Sequence, residues 1–228
     1  MKSSLLIHCL AIGAVCSLSQ SQLIADTVFN NGVNDLNTRF NPGTLEVGDE
    51  IVLAAGARYM TNFSFEYWGV NTSGGNFGGS VQARVRFYQN DGSPFNGYAT
   101  PGTSFYDSGW FSVSATSRSL LVFQPGADGI PTGGLFLPSS DFTWSVQFQG
   151  LGPTDQAGVD LYSPPTVGQD YPDYWQYDGT SWALMTNSVA VDFGAQFDAS
   201  ITPVPEPTVI GLLGLGAAAV LTLARRRK

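Results

Sequence analysis

Apolar and polar residues alternate with a period of two along most of the chain between residues 26 and 202. The alternation is clearest over residues 63–67, 81–88, 142–149 and 189–201, where each segment has one apolar and one polar face. This pattern is typical of an antiparallel strand with one side on a core and the other in water. No window of eleven or more residues in this region has the 3.6-residue apolar repeat of an amphipathic helix.

Turn-forming sequences separate the alternating segments. Asn90-Asp91-Gly92 is a strong hairpin signal after the 81–88 segment, and Asp178-Gly179 marks another turn further along the chain. Glycine and proline pairs interrupt residues 74–79 and 125–134 in the same way. Short strands joined by frequent turns predict an all-β fold, and we expect an antiparallel β-sandwich of jelly-roll-like form over residues 26–202. A barrel is the alternative.

The first 25 residues follow a different pattern. A lysine near the start is followed by the largely apolar Leu5–Leu18, and then by polar and small residues up to Ala25. This order predicts a secretory signal peptide over residues 1–25, which signal peptidase would remove. Cleavage after Ser19 or Ser21 is an alternative to cleavage after Ala25.

The end of the chain is made of three consecutive segments. Pro203–Pro207 carries three prolines, which fix the backbone and remove donors, so that no regular element continues through it. Residues 209–224 are apolar and uncharged, and residues 225–228 are all basic. A helix over 209–224 would be about 24 Å long. The order predicts a single transmembrane helix with the basic tail in the cytoplasm.

Val204, Pro205, Glu206 and Pro207, followed by the apolar segment and the basic tail, resemble the PEP-CTERM sorting signal of Gram-negative bacteria. The resemblance covers residues 203–228. It implies recognition by an exosortase, a membrane-embedded cysteine protease-transpeptidase, with these four residues as a substrate motif and not an active site. It also implies export, an intermediate anchored in the inner membrane, and delivery to the cell surface or the extracellular matrix.

The region between the two ends is strongly acidic. Residues 26–207 hold all 18 acidic residues and five arginines, a formal charge of −13, and contain no Lys, Cys or His. The missing residue types exclude disulfides, thiol nucleophiles, Ser-His-Asp triads and His-ligated zinc. The charge disfavours nucleic acid and anionic lipid as partners. Carboxylate chemistry, oxygen-ligated calcium and aromatic contacts to uncharged polymers remain.

Several segments in the middle of the chain are similar to the "choice-of-anchor" domains of bacterial surface proteins. They are residues 48–53, 63–67, 85–92, 101–103, 106–109 and 142–146. The resemblance covers roughly residues 27–200 and implies a fold and a cell-surface setting. It implies no activity, because the matching segments are strand cores and turns.

One stretch of the chain combines many aromatic residues with nearby acids. Its aromatic members are Tyr171, Tyr174, Trp175, Tyr177 and Trp182. Aromatic faces with nearby carboxylates suit the stacking of sugar rings and the recognition of hydroxyl groups, so these five residues are a candidate glycan-binding set. The alternative is that Trp175 and Trp182 are core residues of adjacent strands, because large aromatics dominate cores.

The acidic residues suggest two further kinds of chemistry. Asp155, Asp160, Asp170 and Asp173 are candidate ligands for a structural calcium ion, although no EF-hand or nonapeptide repeat is present. We otherwise expect no metal and no cofactor.

A glycosidase needs two acids about 5 to 9.5 Å apart across a cleft. Glu46, Glu50 and Glu66 are the available glutamates. Glu46 and Glu50 flank Gly48-Asp49, which predicts a turn between them, and we therefore expect no enzyme.

These observations together favour a secreted, exosortase-sorted β-sandwich with a structural or adhesive role at the cell surface or in the extracellular matrix. A carbohydrate-binding module for neutral polysaccharide, using the aromatic residues between 171 and 182, is the first alternative. A glycan-active enzyme is the second. The two alternatives predict an exposed aromatic platform and a cleft with facing carboxylates, respectively.

Overall fold

The computed structural model describes residues 25–54, 56–186 and 190–204, and these residues form fifteen β-strands. The strands are β1 (Asp26–Asn30), β2 (Asp35–Phe40), β3 (Glu46–Val52), β4 (Tyr59–Asn71), β5 (Gln82–Gln89), β6 (Ser104–Asp107), β7 (Phe111–Ser112), β8 (Thr116–Phe123), β9 (Leu135–Phe136), β10 (Asp141–Gln149), β11 (Asp155–Tyr162), β12 (Gln169–Asp170), β13 (Asp173–Tyr177), β14 (Trp182–Thr186) and β15 (Ala195–Ser200). No helix among the described residues has the length and apolar character that crossing a membrane requires.

Two antiparallel sheets pack face to face. The β4 sheet has seven strands in the order β1-β15-β4-β11-β2, with β8 and β9 also paired to β4. The β10 sheet has eight strands in the order β14-β13-β3-β10-β5-β6, with β12 paired to β3 and β7 paired to β5. The expectation of an all-β antiparallel sandwich is therefore confirmed for the described part of the chain.

The core between the sheets is mostly aromatic. In β10 the side chains of Phe142, Trp144 and Phe148 are fully buried, as the period-two pattern predicts. The ring of Phe63 in β4 lies 5.3 Å from that of Trp144 and 4.6 Å from that of Phe197, measured between centroids. These rings fill the space between the two inner faces, which in β-sandwiches is about 10 Å wide.

The expectation of a turn at Gly48-Asp49 is wrong, because both residues lie inside β3, a central strand of the β10 sheet. Asp49 pairs with Trp144 of β10, and Gly48 pairs with Trp175 of β13 on the other side. A Cβ atom on Gly48 would lie 2.6 Å from Cγ2 of Thr143. Glycine is therefore required here for close packing between strands and not for a change of direction.

The two hairpin signals do correspond to chain reversals. Asp178-Gly179 joins β13 to β14, and Asp178 Oδ1 accepts hydrogen bonds from the backbone N–H groups of Thr180 and Ser181 at 2.8 and 2.9 Å. Asn90-Asp91-Gly92 opens a longer connection, residues 90–103, before β6 pairs with β5.

The alternating segment 189–201 forms a regular strand only from Ala195. Before that residue, the N–H of Gly194 donates to the carbonyl of Asp160 at 3.0 Å, and the carbonyl of Asp192 accepts from the N–H of Tyr162 at 3.0 Å. Residues 192–194 therefore bond to the end of β11, and the chain then continues as β15, which pairs with β4.

The predicted segments at the two ends fall outside the described residues. The signal peptide, apart from Ala25, lies in residues 1–24, and the predicted transmembrane helix and basic tail lie in residues 209–228. Their limits, and the domain limits of 26–202, stay predictions.

Candidate functional site

The five predicted glycan-binding residues are divided between the core and the surface. Tyr174 projects into the core, where its ring lies 4.9 Å from that of Phe40 and 6.4 Å from that of Phe193. Its side chain is only 5% exposed, so its ring is closed to a ligand. Tyr171, between β12 and β13, is 44% exposed.

Trp175, Tyr177 and Trp182 project from the outer face of the β10 sheet. Direct cross-strand partners point to the same side of a sheet, and Trp175 is paired with Gly48, which neighbours the core-facing Asp49 and therefore points outward. The Trp175 ring is nevertheless 1% exposed, and its Nε1–H donates to Glu50 Oε2 at 3.1 Å. Trp175 is thus fixed on the outer face by its bond to Glu50 and is closed to a ligand.

Tyr177 and Trp182 face each other across β13 and β14 with ring centroids 5.0 Å apart, and both are partly exposed. Trp182 also lies 5.4 Å from Tyr88 of β5, a strand four positions away in the sheet. The side chains of Trp182 and Tyr88 therefore extend over the strands that lie between β14 and β5. We name Tyr88, Trp175, Tyr177 and Trp182 the outer aromatic surface.

A buried carboxylate lies beside this surface. Glu46 is 1% exposed, and its Oε1 accepts hydrogen bonds from Tyr88 Oη at 2.9 Å and from Ser145 Oγ at 2.5 Å. Arg86 Nη2 forms an ion pair with Glu46 Oε2 at 2.8 Å. Burial, with the charge of Glu46, raises the pKa of the Tyr88 phenol, so that Tyr88 donates at neutral pH.

Sequence reasoning missed Tyr88, Arg86 and Ser145 as neighbours of the aromatic residues. The alternation along 81–88 and 142–149 does place all three on outer faces. What the sequence does not contain is the strand order, which brings β5 and β10 beside β3 and β13.

Two acids on the outer face, Glu50 and Asp141, lie close enough for their charges to interact. Asn90 Nδ2 donates to Asp141 Oδ1 at 2.7 Å. Burial and the nearby charge of Asp141 raise the pKa of Glu50 to about 7, although the hydrogen bond from Trp175 opposes the change. Glu50 therefore titrates near neutral pH.

A second group of acids lies towards the interior. Asp49 and Asp192 are at most 1% exposed. Asp49 Oδ1, Asp192 Oδ1 and Asp170 Oδ2 are buried and have no hydrogen-bond partner among the described residues. Burial, and then the charges of Asp170 and Asp192, raises the pKa of Asp49 well above its usual range. Burial also raises the pKa of Asp170 to about 7 and that of Asp192 to about 6.

The four predicted calcium ligands do not come together. Asp155 accepts hydrogen bonds of 2.8 to 2.9 Å from the backbone N–H groups of Gly78, Gly79 and Gly152, which lower its pKa. Asp160 forms ion pairs with Arg39 at 3.5 Å and with Arg118 at 3.6 Å.

Asp170 and Asp173 instead join the acids around Asp49, whose pKa both of them raise. Within residues 25–54, 56–186 and 190–204, no three Asp, Glu, His or Cys side chains are grouped so as to hold a metal ion. The expectations about calcium and about the lack of a cofactor stay predictions.

Two of the surface cavities lie away from the outer aromatic surface. One, of about 160 Å³, is lined by Phe111 of β7, by Leu121, Val122 and Phe123 of β8, and by Ser108 and Asp128. The other, of about 390 Å³, is lined by residues 76–81 and 112–115. The outer aromatic surface is therefore a face of a sheet and not part of either cavity.

The sorting segment begins where the sandwich ends. β15 finishes at Ser200, and the N–H of Val204 then donates to the carbonyl of Gly133 at 2.9 Å. Pro205, Glu206 and Pro207 lie beyond the described residues.

Residues 203–228 match the family described as the PEP-CTERM protein-sorting motif. The chain carries this motif. It implies that the protein is exported, processed by an exosortase and sorted to the surface of a Gram-negative bacterium. No curated protein and no solved structure matches the chain.

Proposed function

We propose that the protein has a structural or adhesive role at the cell surface or in the extracellular matrix. The observation that carries the proposal is the PEP-CTERM motif at residues 203–228, directly after a sandwich that ends at Ser200. A sorting signal of this kind delivers the sandwich itself as the cargo. The sandwich is held together by burial of aromatic side chains and needs no disulfide, because the region contains no Cys.

The placement of the acids supports a role without catalysis. Glu50 is held by the Nε1–H of the buried Trp175, and its charge interacts with that of Asp141, whereas the two acids of a glycosidase are about 5 to 9.5 Å apart with the substrate between them. Asp49 is fully buried and reaches no substrate. Neither arrangement offers the separated, accessible pair that hydrolysis of a glycosidic bond requires.

The arginines support an uncharged or weakly charged partner. Four arginines each form an ion pair with a carboxylate, and the longest of these contacts is 3.6 Å. They are Arg39, Arg84, Arg86 and Arg118. Each also lies over an aromatic ring, between 5.4 and 6.0 Å from its centroid. The positive charge of these arginines is already paired with carboxylates of the same chain, so we expect it to contribute little to binding an anionic polymer.

The role can be tested in cells by deleting the gene and measuring matrix cohesion and surface attachment. We expect both to fall, and to recover with the wild-type chain. A chain with Pro205, Glu206 and Pro207 replaced by alanine is expected to be exported and then to remain in the membrane fraction, without restoring cohesion. Full recovery by this variant, or no effect of the deletion, would contradict the proposal.

The second candidate function is binding of neutral polysaccharide. It is favoured by the partly exposed pair Tyr177 and Trp182, which presents ring surface on the outer face, with the Trp182 ring 5.4 Å from that of Tyr88. Aromatic rings of this kind contribute a few contacts each, so binding is expected to be weak. Retention of the purified protein on immobilised neutral polysaccharides, compared with anionic ones, tests this function.

A further inference from the structure

The chain leaves the sandwich at one defined end. Ser200, the last residue of β15, pairs with Tyr59, the first residue of β4, and the N–H of Arg58 donates to the carbonyl of Ser200 at 3.1 Å. Val204 is then bonded to Gly133, which lies just before β9. The chain just after β3 and the chain leading to β10 are bonded to the other sheet at this end, because the N–H of Ala54 donates to the carbonyl of Val28 at 2.8 Å and the N–H of Leu137 donates to the carbonyl of Arg58 at 2.7 Å. β5 finishes there too, since Gln89 pairs with Phe142 at the start of β10. We call it the exit end.

Only a short piece of chain separates the exit end from the apolar segment of the sorting motif. Residues 205–208 connect Val204 to Val209, where the uncharged stretch starts. Five steps of at most about 3.6 Å each span no more than about 18 Å. An apolar segment inserted in a bilayer therefore keeps the exit end within about 18 Å of the hydrocarbon boundary.

Three large apolar side chains are exposed at this same end. Ile201 is 75% exposed, just after β15, and Phe136 of β9 is 53% exposed with its ring 5.4 Å from that of Tyr59. Tyr98 is 61% exposed at the tip of the 90–103 connection, where Phe95 and Tyr98 exchange backbone hydrogen bonds. More than half of the surface of each of these three residues is exposed, including that of Phe136, which also contacts Tyr59.

The character of these residues suits a lipid headgroup layer. Tyr and Phe side chains are favourable at a membrane–water interface, where an apolar ring meets a polar medium. The exposed acids Asp26 and Asp91 lie at the same end, and the region contains no lysine, so anionic headgroups are disfavoured. Zwitterionic headgroups fit this combination of apolar rings and negative charge.

We propose that the exit end is a membrane-facing surface. While the apolar segment anchors the chain, Tyr98, Phe136 and Ile201 contact the zwitterionic headgroup layer and hold the sorting motif at the bilayer surface. Weak contacts are sufficient, because a short tether raises the effective concentration to about the millimolar range. The inference rests on the anchored intermediate that the proposed function requires, and it adds an orientation of the sandwich.

The absence of Cys from residues 26–207 makes this surface accessible to site-specific labelling. In the chain without the predicted signal peptide, residues 26–228, which contains no Cys, single cysteines are introduced as Y98C, F136C or I201C and labelled with an environment-sensitive fluorophore. V33C is the matched control, because Val33 is 59% exposed and follows β1 at the opposite end of the sandwich. Each protein is reconstituted in phosphatidylcholine vesicles with or without a lipid that carries a nitroxide on its headgroup.

We expect the labels at 98, 136 and 201 to shift to the blue and to be quenched at least twofold more by the nitroxide lipid than the label at 33. Equal quenching at 33 and 136, or none at 136, overturns the inference. A blue shift at 136 without quenching indicates a protein occupant, such as a second copy of the chain, and also overturns it.

Flotation of the vesicles separates the inference from its premise. If the chain floats with the vesicles and the label at 136 is unquenched, the anchor holds and only the orientation is wrong. If the chain does not float, the anchored intermediate is wrong and the inference falls with it.

Discussion

Asp49 Oδ2 accepts a hydrogen bond of 2.9 Å from the backbone N–H of Phe193, and this bond crosses the core from the β10 sheet to the β4 sheet. Asp49 is fully buried, and its other oxygen has no hydrogen-bond partner among the described residues. The bond satisfies a backbone donor that would otherwise be buried alone. It does so with a carboxyl group whose pKa burial raises, so the group favours its neutral form.

Substitutions at Asp49 separate the hydrogen bond from the charge. Asp49→Asn keeps an acceptor for the Phe193 N–H without a charge to desolvate, and we expect it to be at least as stable as the wild type at pH 8. Asp49→Ala removes the acceptor and is expected to cost about 1–3 kcal/mol, the penalty of a buried unsatisfied donor. Urea unfolding at pH 8 measures both. Equal destabilisation by the two variants would show that the hydrogen bond is not the important interaction.

The raised pKa values of the other acids predict a loss of stability with rising pH. Burial raises the pKa of Glu50 and Asp170 to about 7 and that of Asp192 to about 6, whereas unfolded carboxyl groups titrate near about 4. The folded protein therefore keeps protons that the unfolded chain releases. The stability from these groups is fully present below about pH 4 and is lost as the pH rises towards about 7. Calorimetry should show a melting temperature that falls between about pH 5 and about pH 8.

Two substitutions identify the groups responsible. The double variant Asp170→Asn and Asp192→Asn should flatten the dependence of the melting temperature on pH across that range. Asp35 and Asp107 act in the opposite direction at lower pH, because hydrogen bonds from Arg118 and Arg84 lower their pKa values. A melting temperature that rises steadily from pH 5 to pH 8 would rule out raised pKa values in the folded protein.

Trp144 is the central side chain of the core. It is fully buried, with ring centroids 5.3 Å from Phe63, 5.5 Å from Phe65 and 5.7 Å from Phe193. Trp144→Ala is expected to lower the free energy of unfolding by about 3–5 kcal/mol, because it removes this packing and leaves a cavity. Val33→Ala, at a 59% exposed position, is the control and should change little. A loss below about 1 kcal/mol for Trp144→Ala would place its side chain outside the core.

The alternation of apolar and polar residues was sufficient to predict the strands that form the centre of the sandwich. In β10 and in the middle of β4 each residue lies on the face that the period of two assigns to it. β3 was missed because its pattern is broken at two positions: Asp49 faces the core, and Gly48 has no side chain. Both departures have causes in neighbouring elements, the N–H of Phe193 and the side chain of Thr143, which are remote in sequence.

The candidate site was predictable in part for the same reason. Tyr174 and Trp175 are adjacent in sequence and were assigned to one surface, but neighbours on a strand point to opposite sides of the sheet. Tyr174 therefore packs in the core, and Trp175 lies on the outer face. Tyr88 joins Trp182 only through the strand order, which the sequence of a single chain does not contain.

The division of the aromatic residues decides how the polysaccharide function is best tested. Trp182 is partly exposed and touches Tyr177 and Tyr88, whereas Tyr174 is buried. If the outer aromatic surface binds neutral polysaccharide, Trp182→Ala should remove most of the retention on the immobilised polymer while changing the melting temperature little. Tyr174→Ala should lower the free energy of unfolding by about 3 kcal/mol, because it empties a core position.

Tyr98→Ala is the matched control for loss of an exposed aromatic ring, since Tyr98 is 61% exposed and lies on a loop outside the outer aromatic surface. It should leave both retention and melting temperature unchanged. Retention that is lost equally in Tyr98→Ala and Trp182→Ala would indicate unspecific adsorption of aromatic side chains. Retention that survives Trp182→Ala would exclude this face as the binding site, and the structural or adhesive role would then rest on the sorting motif and the sandwich alone.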